Sequence, residues 1–213
     1  EVDPGKVGTI NEKRAPIFEH GLEDILMRTT GKNLRATLSY DSVSTSALTF
    51  ICVGTPPNED GSTNLTYIES ASRSIGTALQ NTSRYHVVVV KSTVPPGTTD
   101  TVVRPAVLVS ANKTENEIGF AMNPEFLREG RAIEDFRNPD RIVIGSNDVR
   151  AGDCVAEIYR SFSAPVVRTG LSAAEMIKYT SNAFLATKIS FANEIGNICK
   201  ELGIDVYEVM KGV

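Results

Sequence analysis

The sequence predicts an α/β fold: a doubly wound, mainly parallel sheet followed by one long α-helix. Three observations predict it. Short runs dominated by apolar residues, at 49–53, 86–91 and 118–122, have the length and composition of strands buried on both faces. Segments with helical spacing separate these runs, so strands and helices alternate as they do in βαβ units. Residues 171–202 then contain no proline, and no glycine until Gly196. About thirty residues in a helix span roughly 45 Å, long for a compact domain.

The 213 residues suffice for one domain, or for a domain with an extension. With 41% hydrophobic and 23% charged residues, the composition is that of an ordinary globular protein. A net charge of -4 gives no reason to expect nucleic-acid binding. No apolar run approaches the roughly 20 residues that span a bilayer, and the charged opening Glu1-Val2-Asp3 does not read as a signal peptide. Cys52, Cys154 and Cys199 lie far apart and read as small buried hydrophobes, Cys52 within a strand. Their spacing fits a reducing cytoplasm and argues against a disulfide framework or a zinc site. Only His20 and His86 offer imidazoles, so no metal centre is expected.

Taken in order, the chain opens on the end of a strand, a turn at Pro4-Gly5 and a helix over 7–11. A loop at 16–19 precedes a short helix at 22–27, with Gly31 beyond its end. Residues 34–39 alternate apolar and polar, the pattern of a strand. Asp41 or Ser42 caps a short helix through Ala47. The strand at 49–53 breaks at Gly54-Thr55-Pro56-Pro57, and a helix over 64–79 places Leu65, Ile68, Ile75 and Leu79 near helical spacing. The strand at 86–91 runs into Ser92-Thr93-Val94-Pro95-Pro96-Gly97, and Thr98 is placed to cap a helix to about Val107. After the strand at 118–122, Pro124 biases Asn123 away from helix, so the chain turns there. An apolar run at 141–145, a helix at 148–162 and a short strand at 165–168 complete the α/β part. Right-handed crossovers put helices on both faces of a parallel sheet. The loops after 53, 91 and 122 then fall on one edge, where open α/β sheets bind their ligands. Ser172, with Glu175 three residues on, has capping-box spacing for the long helix. Its apolar residues, among them Met176, Phe184, Ile189 and Ile198, cover more than one stripe, which calls for a dimer seam or a following domain. A last short helix over 206–210 follows the break at Gly203.

Several side chains at these places carry chemistry. Glu125 and Glu129 lie four apart in the polar loop after 122, flanking Phe126, Leu127 and Arg128; the plainer alternative is a turn leading into a helix with a solvated acidic face. Lys178 and Asn182 share a helix face, with Glu175 one turn earlier. They are either an exposed ion pair with a polar neighbour, or an ammonium and an amide presented together to developing negative charge. Thr93, at a strand end beside two prolines, offers a hydroxyl to a water or a ribose. Thr55 follows Gly54, which lets backbone approach a ligand closely. Glu1, at the end of a strand, occupies the place where dinucleotide folds put an acidic residue on the ribose hydroxyls. No Gly-x-Gly-x-x-Gly occurs in the chain.

The segments EVDPGKV, PIFEHGL, ICVGTPPNEDGSTNL, VVVVKSTVPPGTTD, AMNPEFLREGRAIEDFRNPDRIVIG and AAEMIKYTSNAFLATKISFANEI together resemble the UDP-glucose and GDP-mannose 6-dehydrogenases, in the family's order and over almost the whole chain. NPDRIVIG after EFLREG is more similar to the UDP-glucose branch. The resemblance implies a Rossmann-like NAD-binding domain over 1–170 and the start of a central helical dimerisation domain over 171–213. It implies NAD-dependent oxidation of a sugar-nucleotide C6 alcohol to a carboxylate with two NAD; the cysteine usage adds a cytoplasmic location, and the apolar long helix a homodimer joined through 171–202. Carried over by position, Glu1, Lys6, Thr55, Thr93 and Glu129 contact the cofactor. Glu125, Phe126, Leu127, Arg128 and Glu129 form a sugar loop, facing Lys178 and Asn182. In the family's chemistry Lys178 and Asn182 would steady the oxyanion, and Thr93 and Glu129 would hold or activate the hydrolytic water. Glu1 stands where aspartate is more usual. The family's glycine fingerprint would precede Glu1, and its catalytic cysteine and second α/β domain would follow Val213. Residues 1–213 are therefore expected to be inactive alone, as the middle of a longer enzyme. GDP-mannose oxidation, or a non-catalytic nucleotide-binding fragment, are the alternatives.

Overall fold

The computed structural model describes residues 1–213. Five strands form one sheet in sequence order: β1 (Leu48–Ile51), β2 (His86–Val90), β3 (Ile118–Met122), β4 (Ile142–Ser146) and β5 (Val166–Thr169). β1, β2 and β3 are parallel, with Leu48 beside Val87 and Val87 beside Gly119. β4 departs from the parallel expectation by running antiparallel to β3, Met122 beside Gly145, and β5 follows β4 in parallel. The reversal has a simple cause. The connection from β3 to β4 holds only one short helix, α5 (Ala132–Arg137), and it returns on the side where β3 ends instead of crossing the sheet. As a result the start of β4 lies at the same edge as the tips of β1, β2 and β3.

Helices cover both faces, as the doubly wound reading requires. Val88, Val90, Phe120, Met122 and Val143 point to one side, against α3 (Thr66–Leu79), α4 (Arg104–Ala111) and the root of α7 (Leu171–Leu202). Their alternates Val87, Val89, Ala121, Ile142 and Ile144 point to the other, against α6 (Val149–Ile158). The two-residue period of the strand assigns each valine to its layer. His86, buried at the start of β2, is bonded at both ring nitrogens, Nδ1 to the Ser46 carbonyl at 3.0 Å and Nε2 to the Thr49 hydroxyl at 2.9 Å. Burial lowers its pKa against the raising effect of Ser46, so it serves as a neutral part of the core.

Four local expectations are corrected. Residues 34–39 are not a strand. Leu34 makes one isolated bridge to Thr30, and the Ala36 N–H and carbonyl are both taken by the Asn11 side chain, each at 3.0 Å, where a ladder partner would stand. Thr98 does not cap its helix: it is already helical and donates to the Pro95 carbonyl at 2.6 Å, and residues Thr99–Val103 wind as a π-helix before α4. Ser172 is not the N-cap of α7 either. Gly170 is, and Glu175 is turned away from the helix start toward residues 97–99. Cys52 lies past the end of β1 and is exposed, with only Cys199 of the three cysteines fully buried.

The long helix itself spans Leu171–Leu202, closed by left-handed Gly203, and α8 (Val206–Lys211) follows. No helix of the chain is long and apolar enough to cross a membrane. Only the first turns of α7 are buried, at Leu171, Ala174, Glu175 and Lys178, with Cys199 far beyond them. They dock on β4 at Gly145, where a Cβ would stand 2.6 Å from that of Ala174 and 2.7 Å from the Gly170 carbonyl oxygen. Gly145→Ala is expected to destabilise the fold by about 1–3 kcal/mol, as overpacking against backbone does. A urea-denaturation midpoint equal to that of the parent would contradict this.

Candidate active site

The tips of β1, β2 and β3 and the first residue of β4 enclose one edge of the sheet. Asn123, 1% exposed just past β3, organises it. Its backbone N–H donates to Val90 at 2.9 Å, and its side-chain amide donates to the Val143 carbonyl at 2.8 Å. Its Oδ1 accepts from Lys91 Nζ at 3.0 Å and from the Tyr159 hydroxyl at 2.6 Å. The predicted turn at Asn123-Pro124 is thus held by β2, β4 and the end of α6 together. Burial raises the Tyr159 pKa to about 12 and pushes that of Lys91 down, with Cys52 and Glu125 opposing.

The loop that follows lies against α7. Lys178 Nζ is 2.7 Å from Glu125 Oε1; the lysine side chain is 6% exposed and the glutamate 33%. The exposed surface pair considered from the sequence is therefore replaced by a largely buried one, with Glu125 in place of Glu175 as the partner. Burial works to raise the Glu125 pKa. Lys178 and the Leu127 N–H, which donates to Oε2 at 2.7 Å, outweigh it and hold the carboxyl below its usual range. The Phe126 ring lies between two cations, 5.4 Å from Lys178 Nζ and 4.2 Å from the Arg141 guanidinium carbon. Arg128 is engaged elsewhere. Its backbone N–H, Nε and Nη2 all bond Asp135, at 2.9, 3.0 and 2.6 Å. Glu19, from the PIFEHGL segment, closes the far end of the loop by accepting from the Gly130 and Ala132 N–H groups at 3.1 and 3.0 Å.

The other residues singled out from the sequence divide into two sets. Thr55 and Thr93 meet, the Thr55 hydroxyl donating to the Thr93 carbonyl at 2.9 Å, so the loops after β1 and β2 are joined. Glu1 folds back onto the Val2 and Asp3 N–H groups, and the Lys6 N–H donates to Asp3, the cap of α1 (Pro4–Asn11). Glu129 and Asn182 are exposed. A cleft of about 470 Å³ opens beside this edge, lined by Lys91, Glu125, Phe126, Arg128, Arg141 and Tyr159 among others; Thr93, Glu129 and Lys178 are not in its wall. Lys91, Tyr159 and Glu19 have no place in the sequence-based expectations, and Asn123 appears there only as a turn residue. Glu19, Lys91 and Asn123 stand within the segments that resemble the family, the one signal for them.

The description "UDP-glucose/GDP-mannose dehydrogenase family, NAD binding domain" matches residues 1–163, and the central domain of the same family matches residues 172–213. The chain belongs to the UDP-glucose/GDP-mannose dehydrogenase family. A UDP-glucose 6-dehydrogenase of Haloferax volcanii is 44% identical over 219 residues, covering 100% of this chain and 51% of that protein. Among solved structures, a ternary complex of GDP-mannose dehydrogenase from Pseudomonas aeruginosa superposes with a TM-score of 0.96 at 45% identity, covering 99% of this chain and 49% of that one. A UDP-glucose dehydrogenase from Pyrobaculum islandicum gives 0.94 at 46% identity, with the same coverage. The chain thus spans about half the length of these relatives of the UDP-glucose/GDP-mannose dehydrogenase family. Its α/β part is the family's NAD-binding domain, and the surface at the strand tips fits such a ligand. Gly54 and Gly97 have nothing within 4 Å of where a Cβ would stand, which leaves the backbone of both loops open to close approach.

The Arg128–Asp135 fork gives the loop an acid limit. The hydrogen bonds from Arg128, and its charge, hold the Asp135 pKa at about 2, against 3.8 for an ordinary aspartate. A depressed carboxylate contributes order above its unfolded pKa and loses it as the pH falls through the folded one. The Arg128 amide is therefore expected to lose exchange protection between about pH 4 and pH 2, and Asp135→Asn to abolish that dependence. Equal protection at both ends of the range in the parent would contradict this.

Proposed function

We propose that the chain is the NAD-binding and central-helix part of a nucleotide-sugar 6-dehydrogenase, with UDP-glucose as substrate and UDP-glucuronate as product. The observation that carries the reading, beside family membership, is the largely buried Lys178–Glu125 pair at the strand-tip edge. An ammonium held there, away from water, opposes little reorganisation when negative charge develops nearby. In this reading residues 1–170 bind NAD and residues 171–213 begin the helical domain.

A CH2OH group, two NAD and one water become a carboxylate, two NADH and three protons. NAD, when bound, accepts the hydride. Glu1 and Lys6 bind the adenosine ribose, while Thr55, Thr93 and Glu129 hold the cofactor from the strand tips. The loop Glu125-Phe126-Leu127-Arg128-Glu129 receives the sugar. Lys178 and, one turn along α7, Asn182 steady negative charge on the C6 oxygen. Thr93 and Glu129 position the water whose oxygen completes the carboxylate. Glu125 holds and aims Lys178. GDP-mannose is the alternative substrate, because a Pseudomonas aeruginosa GDP-mannose 6-dehydrogenase is 46% identical, as similar as the UDP-glucose relatives. A nucleotide-binding role without turnover is the other alternative.

Beyond its docked root, α7 leaves Phe184, Leu185, Phe191 and Leu202 more than half exposed. A helix apolar over much of its girth needs cover, and we assign that cover to a second copy of the chain, forming a cytoplasmic homodimer. The intact protein is expected to scatter light as a dimer at micromolar concentration, and a monomer would contradict that assignment.

The substrate reading is tested by NADH formation from the full-length protein against a panel of sugar nucleotides, with UDP-glucose expected to lead. In the same assay Lys178→Ala is expected to lower kcat by about a hundredfold or more, with a smaller change in the apparent NAD affinity. Equal burst and steady rates in variant and parent would remove Lys178 from the mechanism.

A further inference from the structure

Glu175 has no part in the chemistry above, yet it is the most enclosed ionisable side chain of the molecule, with 0% of its surface exposed. It stands one turn before Lys178 on α7 and reaches across to the loop after β2. Its Oε1 accepts from the Thr99 N–H at 2.8 Å and the Thr99 hydroxyl at 2.6 Å, and its Oε2 accepts from the Gly97 N–H. Those N–H groups open the helical segment that runs from Thr99 into α4. The start of a helix has N–H groups without partners within the helix and favours a negative charge. Thr98, the residue expected to serve them, is wound into the helix and bonds Pro95 instead. A carboxylate from a helix distant in sequence therefore does the work of a local cap.

The contact joins the two halves of the proposed site. On one side the turn from Thr93 to Gly97 is anchored at its first residue by Thr55 and at its last by Glu175. On the other, Lys178 is the next residue on the same helix face, held against Glu125. We propose that Glu175 is a positioning residue that fixes the Thr93–Gly97 turn at a set distance from the Lys178 ammonium, so that the group holding water and the group steadying the sugar oxygen stay in register. The proposal rests on the dehydrogenase reading for its consequence, but the lock itself is a property of the fold. Burial raises the Glu175 pKa, while the three donors oppose it. A side chain that was only filler would be better served by an amide or a hydrocarbon.

The test uses the full-length protein. Glu175→Gln keeps the shape and one acceptor oxygen but turns an NH2 toward a donor; Thr99→Val removes one of the three bonds and leaves α7 untouched. Both are expected to raise amide exchange at Gly97 and Thr99. Both are expected to lower kcat, Glu175→Gln by about tenfold to a hundredfold as small misplacements do, while the KM for the sugar nucleotide changes less than about threefold. Glu175→Asp is expected to recover part of kcat. Raised exchange at Gly97 and Thr99 with kcat unchanged would overturn the proposal. So would a fall in kcat that only follows the loss of folded protein in both variants. If the parent forms no NADH from any sugar nucleotide, the dehydrogenase reading fails, and the exchange measurement still decides whether the lock exists.

Discussion

Two ionisable side chains removed from water at the root of α7 constrain the loops around them. Lys178 and Glu175 sit one helical turn apart, nearly or wholly without solvent contact. Lys178 would be costly alone, since leaving one partner of a buried ion pair uncompensated costs about 3–5 kcal/mol, and Glu175 without donors would leave buried polar atoms unpaired. Each finds its partner on a different piece of chain: Glu125 in the loop after β3, and the first N–H groups of the helix after β2. The helix root must therefore sit where both can be reached, and the two loops must come to it. The close approach of Gly145 to Gly170 and Ala174 makes that placement sterically possible.

The loop at 123–131 is held in the same way, by polar groups borrowed from far along the chain. Asn123 fastens its start to Lys91 and Tyr159, while Asp135 and Glu19 fasten its end. Few apolar side chains take part, so the segment keeps its shape without a core of its own. The loop's shape is thus set before any ligand arrives, as a preorganised binding loop requires. The antiparallel turn of β4 contributes too, since it brings Arg141 to the same edge, where it covers Phe126.

The strands were legible because burial on both faces leaves a local trace. Val87, Val88, Val89 and Val90 can be read without knowing their neighbours. The direction of β4 was not legible, because the same apolar run serves a parallel or an antiparallel partner. Residues 34–39 alternate as a strand does, but the Asn11 amide supplies their hydrogen bonds, and nothing local announces a partner 25 residues away. The cap of α7 misled for a related reason: Ser172 and Glu175 have the right spacing, but Glu175 is claimed by Thr99, 76 residues distant. In the candidate site, the convergence of the loops after β1, β2 and β3 followed from topology, and the approach of Lys178 to the loop at 125–129 came only from the family resemblance. The Asn123–Lys91–Tyr159 cluster came from neither, since each member reads as an ordinary polar residue until the fold brings them together.

We take Lys178, held by Glu125, to face the C6 oxygen of the sugar while the carbon that bears it is oxidised. A crystal structure of the full-length protein with NAD and UDP-glucose bound tests it most directly. The sugar is expected against the loop at 125–129, with Lys178 Nζ within hydrogen-bond distance of its C6 oxygen. A sugar seated elsewhere, with the Lys178–Glu125 pair closed and out of reach of the C6 oxygen, would contradict it.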